Sequence, residues 1–217
     1  MAVAGWRWLL GALVVVPLLT AASAGNAADP NLAATAGPAG FVRLGVLHIL
    51  LGWDHLLFLL ALLIGATSLR RVIGLASAFT LTHSLTLSLA ACGVVHAPAA
   101  VVEPLIAASI VWVAIENMFG RDRPRWRLAA ALGFGLVHGL GFADALDPFA
   151  LAGWRLAQAL LGFNIGVEIG QAAAIAVMLP MLYGLGRLAR TAPVQRLASL
   201  AVALAGAWWL IERLALG

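Results

Sequence analysis

Six runs of about 20 apolar residues, at 42–66, 72–95, 99–119, 128–147, 156–183 and 197–216, make up most of this chain. At 1.5 Å per residue, a helix of that length crosses the roughly 30 Å hydrocarbon core of a bilayer. The core offers no water to backbone N–H and C=O groups, so a span of this kind must satisfy them internally as a helix. Of the 217 residues, 63% are hydrophobic and only 10% charged, where a soluble domain has about a quarter charged. The breaks fall at Arg70-Arg71, at His96-Ala97-Pro98, between Gly120 and Arg127, at Asp147-Pro148, and between Gly184 and Arg196. The expected fold is an all-α membrane protein with six transmembrane helices in one domain over residues 41–217.

The arginines set the orientation. The formal charge of +4 rests on 13 basic residues, all arginine. They cluster between apolar runs, which marks topology rather than nucleic-acid binding. The loops after the first, third and fifth runs hold Arg70, Arg71, Arg121, Arg123, Arg125, Arg127, Arg187, Arg190 and Arg196. The other side holds Arg43, Arg155 and Arg213. The positive-inside rule then puts both termini of the domain outside. Ahead of it, Trp6 to Ala24 has one arginine, an apolar Leu9–Leu19 core and the small residues Ala22-Ser23-Ala24, which reads as a signal peptide cleaved near residues 24–27. Residues 25–40 then form an extracytoplasmic linker. Cys92 is the single cysteine, so an intrachain disulfide and a multi-cysteine metal site are both excluded.

Against this apolar background the polar residues stand out. His48, Asp54 and His55 share the first run, and each charge at bilayer centre costs roughly 2.5–3.5 kcal/mol on insertion scales. On one continuous helix His48 and His55 return to within about 20° of the same face, with Gly52 between them for close approach of another backbone. Asp54 lies about 100° from His55, placed either to ligate from the flank or to orient a histidine. The second run places His83 among hydroxyls at Thr80, Ser84 and Thr86. The third carries Glu103 near its outer end and Ser109, Glu116 and Asn117 further along. Glu103 can collect cations at an outer mouth and Glu116 release them at an inner one, or both can simply pair near the interface.

The fourth run sets His138 among Gly133, Gly135, Gly139 and Gly141, with Asp144 beyond. In the fifth, Asn164, Glu168 and Gln171 follow at i, i+4 and i+7, either a coordinating wall or a structural hydrogen-bond ladder. The sixth, with Trp208-Trp209 and Glu212-Arg213, reads as a supporting helix. Runs one, two, four and five thus each supply a central His, Asp or Glu. None can face lipid, so the economical arrangement is one interior site. Imidazoles with one or two carboxylates suit Ni²⁺, Co²⁺ or Zn²⁺ better than Mg²⁺ or Ca²⁺.

These residues resemble a known family. His48-x5-Asp54-His55 with Gly52 before the pair, Phe79-Thr-Leu-Thr-His83-Ser-Leu-Thr, Val137-His138-Gly139-Leu-Gly141 and Phe163-Asn164-x3-Glu168-x2-Gln171 are similar to the HupE/UreJ membrane proteins over about residues 40–180. That family is associated with hydrogenase and urease gene clusters and is regarded as nickel, sometimes cobalt, permeases. The resemblance implies a metal-binding motif of His48, Asp54 and His55, with His138 in a second. Two positions depart: Ile49 stands where the family pattern has proline, and Gly141 stands where the His-Gly-x-Glu pattern has its carboxylate. Glu168 would have to replace that carboxylate.

The expectation is therefore a permease of the bacterial inner membrane that passes Ni²⁺ or Co²⁺ as cargo and holds no permanent cofactor. Its partners would be the bilayer and the metal ion and not nucleic acid, with oligomers compatible with the sequence. The ion would meet His48, Asp54, His55, His83, Glu168 and His138, flanked by Asn164, Gln171, Glu103, Glu116 and Asp144. Nothing in the chain resembles a P-loop. Two rivals stand beside this reading. One is an intramembrane zinc hydrolase, with Asp54 or Glu168 as base. The other is a scaffold or metal sensor without transport.

Overall fold

A computed structural model of the chain describes residues 37–64, 66, 68–119, 124–141, 151–184 and 191–216, and every element among them is helical. The elements are α1 (Gly37–Leu51), α2 (Trp53–Ile64), α3 (Leu69–Ala91), α4 (Ala99–Met118), α5 (Pro124–Leu140), α6 (Gly153–Gly184) and α7 (Ala192–Leu216). The signal-peptide segment lies outside the described residues, as does most of the expected linker. α1 begins at Gly37, inside the stretch read as linker.

Prolines start these helices. Pro38, Pro124 and Pro193 sit in the first two positions of α1, α5 and α7, and Pro98 immediately precedes α4. A first-turn residue has no intrahelical use for its N–H, so proline costs nothing there. α3 stops at Cys92-Gly93, where Gly93 adopts φ +72° and the Val94 N–H returns to Leu89 O at 2.9 Å.

The first apolar run is not one straight helix, as the residue spacing had suggested. α1 and α2 meet at Gly52 with a bend of 65°. The Gly52 N–H still bonds His48 O at 3.0 Å, but the His55 N–H turns to the Asp54 carboxylate at 2.9 Å. A Cβ at residue 52 would sit 2.8 Å from His55 Nδ1 and 3.1 Å from Asp54 Oδ1. Glycine is therefore what lets the break and the Asp54–His55 pair coexist.

Three tight helix pairs surround α2. α1 and α6 run parallel through Gly162, Gly166 and Gly170, which meet α1 successively at Phe41, at Val42 and Gly45, and at Val46 and Ile49. α3 and α5 also run parallel: Gly135 lies on Phe79 and Thr82, and Gly139 on the His83 carbonyl and Thr86. α4 and α7 are antiparallel, with Gly206 against Ile110 and Val111 and Arg213 against Glu103. Small residues at such crossings let backbones approach closely where lipid supplies no hydrophobic drive between helices. α2 touches α1, α3, α4, α6 and α7 and buries Phe58, Leu59, Ala61, Leu62, Leu63 and Ile64. A helix apolar on every side belongs in such a centre.

The outside of the bundle is apolar, with Leu81, Leu85, Trp112, Leu161, Val177 and Leu204 all exposed. α3, α4, α6 and α7 are long and apolar enough to cross a membrane, and the bent α1–α2 pair makes a fifth candidate. α5 has 17 described residues, and the rest of its expected run lies outside the described region.

Candidate metal centre

Because the chain bends at Gly52, His48 ends α1 while His55 begins α2, and the two rings meet across the break with centroids 4.4 Å apart. His83 from the middle of α3 stands 5.9 Å from His48 and 6.0 Å from His55. His138, in the last turn of α5, stands 5.3 Å from His55. Four segments thus bring four imidazoles into one cluster, with His55 next to the other three. Gly139 allows α5 close enough to α3 to bring His138 beside His83's helix.

Two imidazoles bound to one metal at about 2.1 Å and at right to tetrahedral angles have ring centroids about 4.5–5.5 Å apart. The His48–His55 and His55–His138 separations match that spacing, and the two to His83 are about half an ångström longer. Among the described residues no three His, Cys, Asp or Glu side chains are already focused on a single point.

Hydrogen bonding shows where lone pairs are left over. His55 Nδ1 lies 3.0 Å from Asp54 Oδ1. A carboxylate only accepts, so Nδ1 carries the proton and Nε2 the lone pair. That Nε2 is buried without a hydrogen-bond partner among the described residues, as are both nitrogens of His83 and Nδ1 of His138. Leaving a buried polar atom unmatched costs about 1–3 kcal/mol. Several such atoms in one cluster are the mark of a site built for something that binds them.

The surroundings are dry. Phe79 stacks on His83 at 5.9 Å and meets His138 edge-on at 5.0 Å. Phe58 lies 5.5 Å from His138, and Phe163 lies 5.3 Å from His48. His83 and His138 are essentially inaccessible, and His55 is buried. Beside His55 a cavity of about 10 Å³, lined by Phe58, Leu59, Leu62, Phe79 and Gln171 among others, has room for about one water.

The other expected site residues sort differently. Asp54 contacts His55 Nδ1, an arrangement suited to orienting that ring. Asn164 and Gln171 are hydrogen-bonded to α3: Ser84 Oγ donates to Asn164 Oδ1 at 2.6 Å, and Thr80 Oγ1 to Gln171 Oε1 at 3.1 Å. Glu168, expected beside the imidazoles, is instead exposed on α6 and outside the buried cluster. Its helical angle lies between the face that α3 covers and the open one. Glu103 is engaged by Arg213, whose Nε is 3.6 Å from Oε2 and whose guanidinium also donates to Glu103 O at 3.1 Å. Glu116 is partly buried in the last turn of α4. Asp144 lies outside the described residues.

Two contacts had no signal strong enough to find from sequence. Ser109, fully buried on α4, stands 3.1 Å from His138 Nε2, although a lone hydroxyl in an apolar helix usually bonds only its own backbone. Arg127, read as a loop arginine, is buried in the first turn of α5. It donates to Asn117 Oδ1 at 2.6 Å, and Asn117 in turn donates to Ala61 O at 2.7 Å near the end of α2. That link ties α2, α4 and α5 together at the end of the bundle away from Glu103.

No curated protein and no solved structure matches the chain. A family model described as HupE / UreJ protein matches residues 26–213, nearly the whole chain and all four histidine-bearing segments. The protein belongs to the HupE/UreJ family.

Proposed function

We propose that the chain is a divalent transition-metal permease, with Ni²⁺ or Co²⁺ as cargo, in the bacterial inner membrane. It would cross the membrane six times with both ends of the domain outside, behind a cleaved signal peptide. The family's association with metal transport supports the general class. The observation that carries the site is the set of buried, unmatched imidazole nitrogens on His55, His83 and His138, with His48 completing the cluster.

The chemistry follows from what these residues offer. A hydrated cation entering the cluster exchanges water for neutral imidazoles, the form in which histidine ligates. Asp54 holds His55 in the tautomer that presents Nε2 and offsets part of the incoming charge. The aromatic rings exclude water, so the exchange takes place only where nitrogens replace it. Beyond His55 the way along α2 and α3 is closed by Phe58, Leu59, Leu62 and Phe79, around space for about one water. A divalent ion taking that way would need these apolar side chains to move aside. Conduction also demands that the cluster release what it binds.

The test is metal uptake into proteoliposomes across Ni²⁺, Co²⁺, Zn²⁺ and Mn²⁺, with His55→Ala as control. Uptake of Ni²⁺ or Co²⁺ that disappears in the variant is expected. Stoichiometric zinc retained through purification, with no flux of any metal, would overturn transport in favour of the hydrolase.

A further inference from the structure

We infer that Ser109 is a positioning residue for the metal centre: it fixes His138 with the proton on Nε2, so that Nδ1 faces the cargo as ligand. The inference rests on the permease reading for what the ligand is used for, but its structural content concerns the metal-free protein. Ser109 lies at the midpoint of α4 with no exposure, and His138 is 1% exposed in the last turn of α5. The hydroxyl has one hydrogen. Its Oγ stands 2.6 Å from the backbone carbonyl of Ile106, three residues earlier, and a carbonyl only accepts. The serine's hydrogen is therefore spent on Ile106.

His138 Nε2 stands 3.1 Å from the same oxygen. With its hydrogen committed, Ser109 Oγ can only accept from the ring, so Nε2 is the protonated nitrogen. A neutral imidazole has one N–H and one lone pair, and the lone pair falls to Nδ1. That atom is buried with no hydrogen-bond partner among the described residues, in a ring whose centroid is 5.3 Å from His55.

His55 is held the opposite way. Asp54 Oδ1 accepts a hydrogen bond from its Nδ1–H, which leaves the lone pair on Nε2. The two rings thus present opposite nitrogens, each fixed by a neighbour on the side away from its free lone pair. A histidine that ligates through Nδ1 brings its backbone closer to the metal than one that ligates through Nε2. Gly139, whose missing side chain lets α5 lie against the His83 carbonyl and Thr86, holds the His138 backbone close beside α3. Gly141 does the same against α4, where a Cβ would come within 2.9 Å of Ile106 Cδ1.

The experiment is nitrogen-15 NMR of histidine-labelled, metal-free protein in detergent, with His138 assigned by its absence in His138→Gln. The expected spectrum shows His138 as a single tautomer, protonated at Nε2, with a slowly exchanging N–H. Ser109→Ala loses that protected N–H, while Ser109→Thr, which keeps the hydroxyl, restores it. On adding Ni²⁺, Ser109→Ala should bind about 10–100-fold more weakly than wild type, and Ser109→Thr within about threefold of it. Protonation at Nδ1 in the wild type, or an unchanged N–H in Ser109→Ala, would overturn the inference. Failure of the permease reading would look different: the same metal-free spectra, with nickel binding unaffected by His55→Ala.

Discussion

Asp54 offers a sharp quantitative test of the site, because one oxygen makes two bonds there. Oδ1 accepts from the His55 backbone N–H at 2.9 Å and from His55 Nδ1 at 3.0 Å. Hydrogen bonds to a charged acceptor contribute about 1.5–3 kcal/mol, and neutral ones about 0.5–1.5. Asp54→Asn keeps an acceptor of the same shape and loses about 1 kcal/mol of charge assistance, which is about fivefold in affinity. Asp54→Ala removes both bonds and frees the ring, and should cost about 10–100-fold, the usual effect of deleting the partner behind a ligating histidine. His55→Ala removes a ligand and should cost more than either. Calorimetric titration of Ni²⁺ into the detergent-solubilised variants measures the ranking wild type, Asn, Ala, His55→Ala. If Asp54→Asn were as weak as His55→Ala, the carboxylate would be a direct ligand and the orienting role wrong. If both Asp54 variants matched wild type, the pair would have no bearing on metal binding.

Other outcomes follow from the same geometry. Gly139→Ala drives a Cβ into the His83 carbonyl and Thr86, so it should lower thermal stability by about 1–3 kcal/mol, whereas Gly133→Ala on the same helix meets nothing within 4 Å and should be neutral or stabilising in a thermal melt. Glu168→Gln should leave Ni²⁺ affinity within about twofold of wild type, since the carboxylate is exposed outside the imidazole cluster; a tenfold loss in titration would return it to the site. Arg213→Ala removes a half-exposed pair with Glu103 and should cost no more than about 1 kcal/mol in stability, with uptake rates unchanged.

Much of this architecture was legible because hydropathy reports helix existence directly. Five of the six apolar runs correspond to described helices within about five residues at each end, and the outer end of the fourth lies outside the described residues. The clustering of the histidines was legible for a related reason: an imidazole inside an apolar helix cannot face lipid, so His48, His55, His83 and His138 had to turn inward together. What failed was angular and tertiary. A continuous helix through Gly52 was the natural assumption, because nothing in the sequence says that the His55 N–H prefers the Asp54 carboxylate to the helical ladder.

Glu168 illustrates the second limit. It lies about 40° from Asn164 around α6, close enough to count as one stripe on a helical wheel. Of the three, α3 hydrogen-bonds only Asn164 and Gln171, and where α3 sits depends on its glycine contacts with α5. Glu103 and Arg213 meet although 110 residues apart, and Ser109 meets His138 across 29. Pairings of that kind depend on the assembled bundle, and no local pattern carries them.

X-ray absorption at the nickel edge, on protein loaded with one equivalent of Ni²⁺, tests the central claim most directly. Imidazoles give a distinctive multiple-scattering pattern, and three to four of them are expected at about 2.1 Å, reduced by one in His83→Ala. A shell of oxygen alone, or an imidazole pattern unchanged when His55, His83 and His138 are replaced together, would contradict the account.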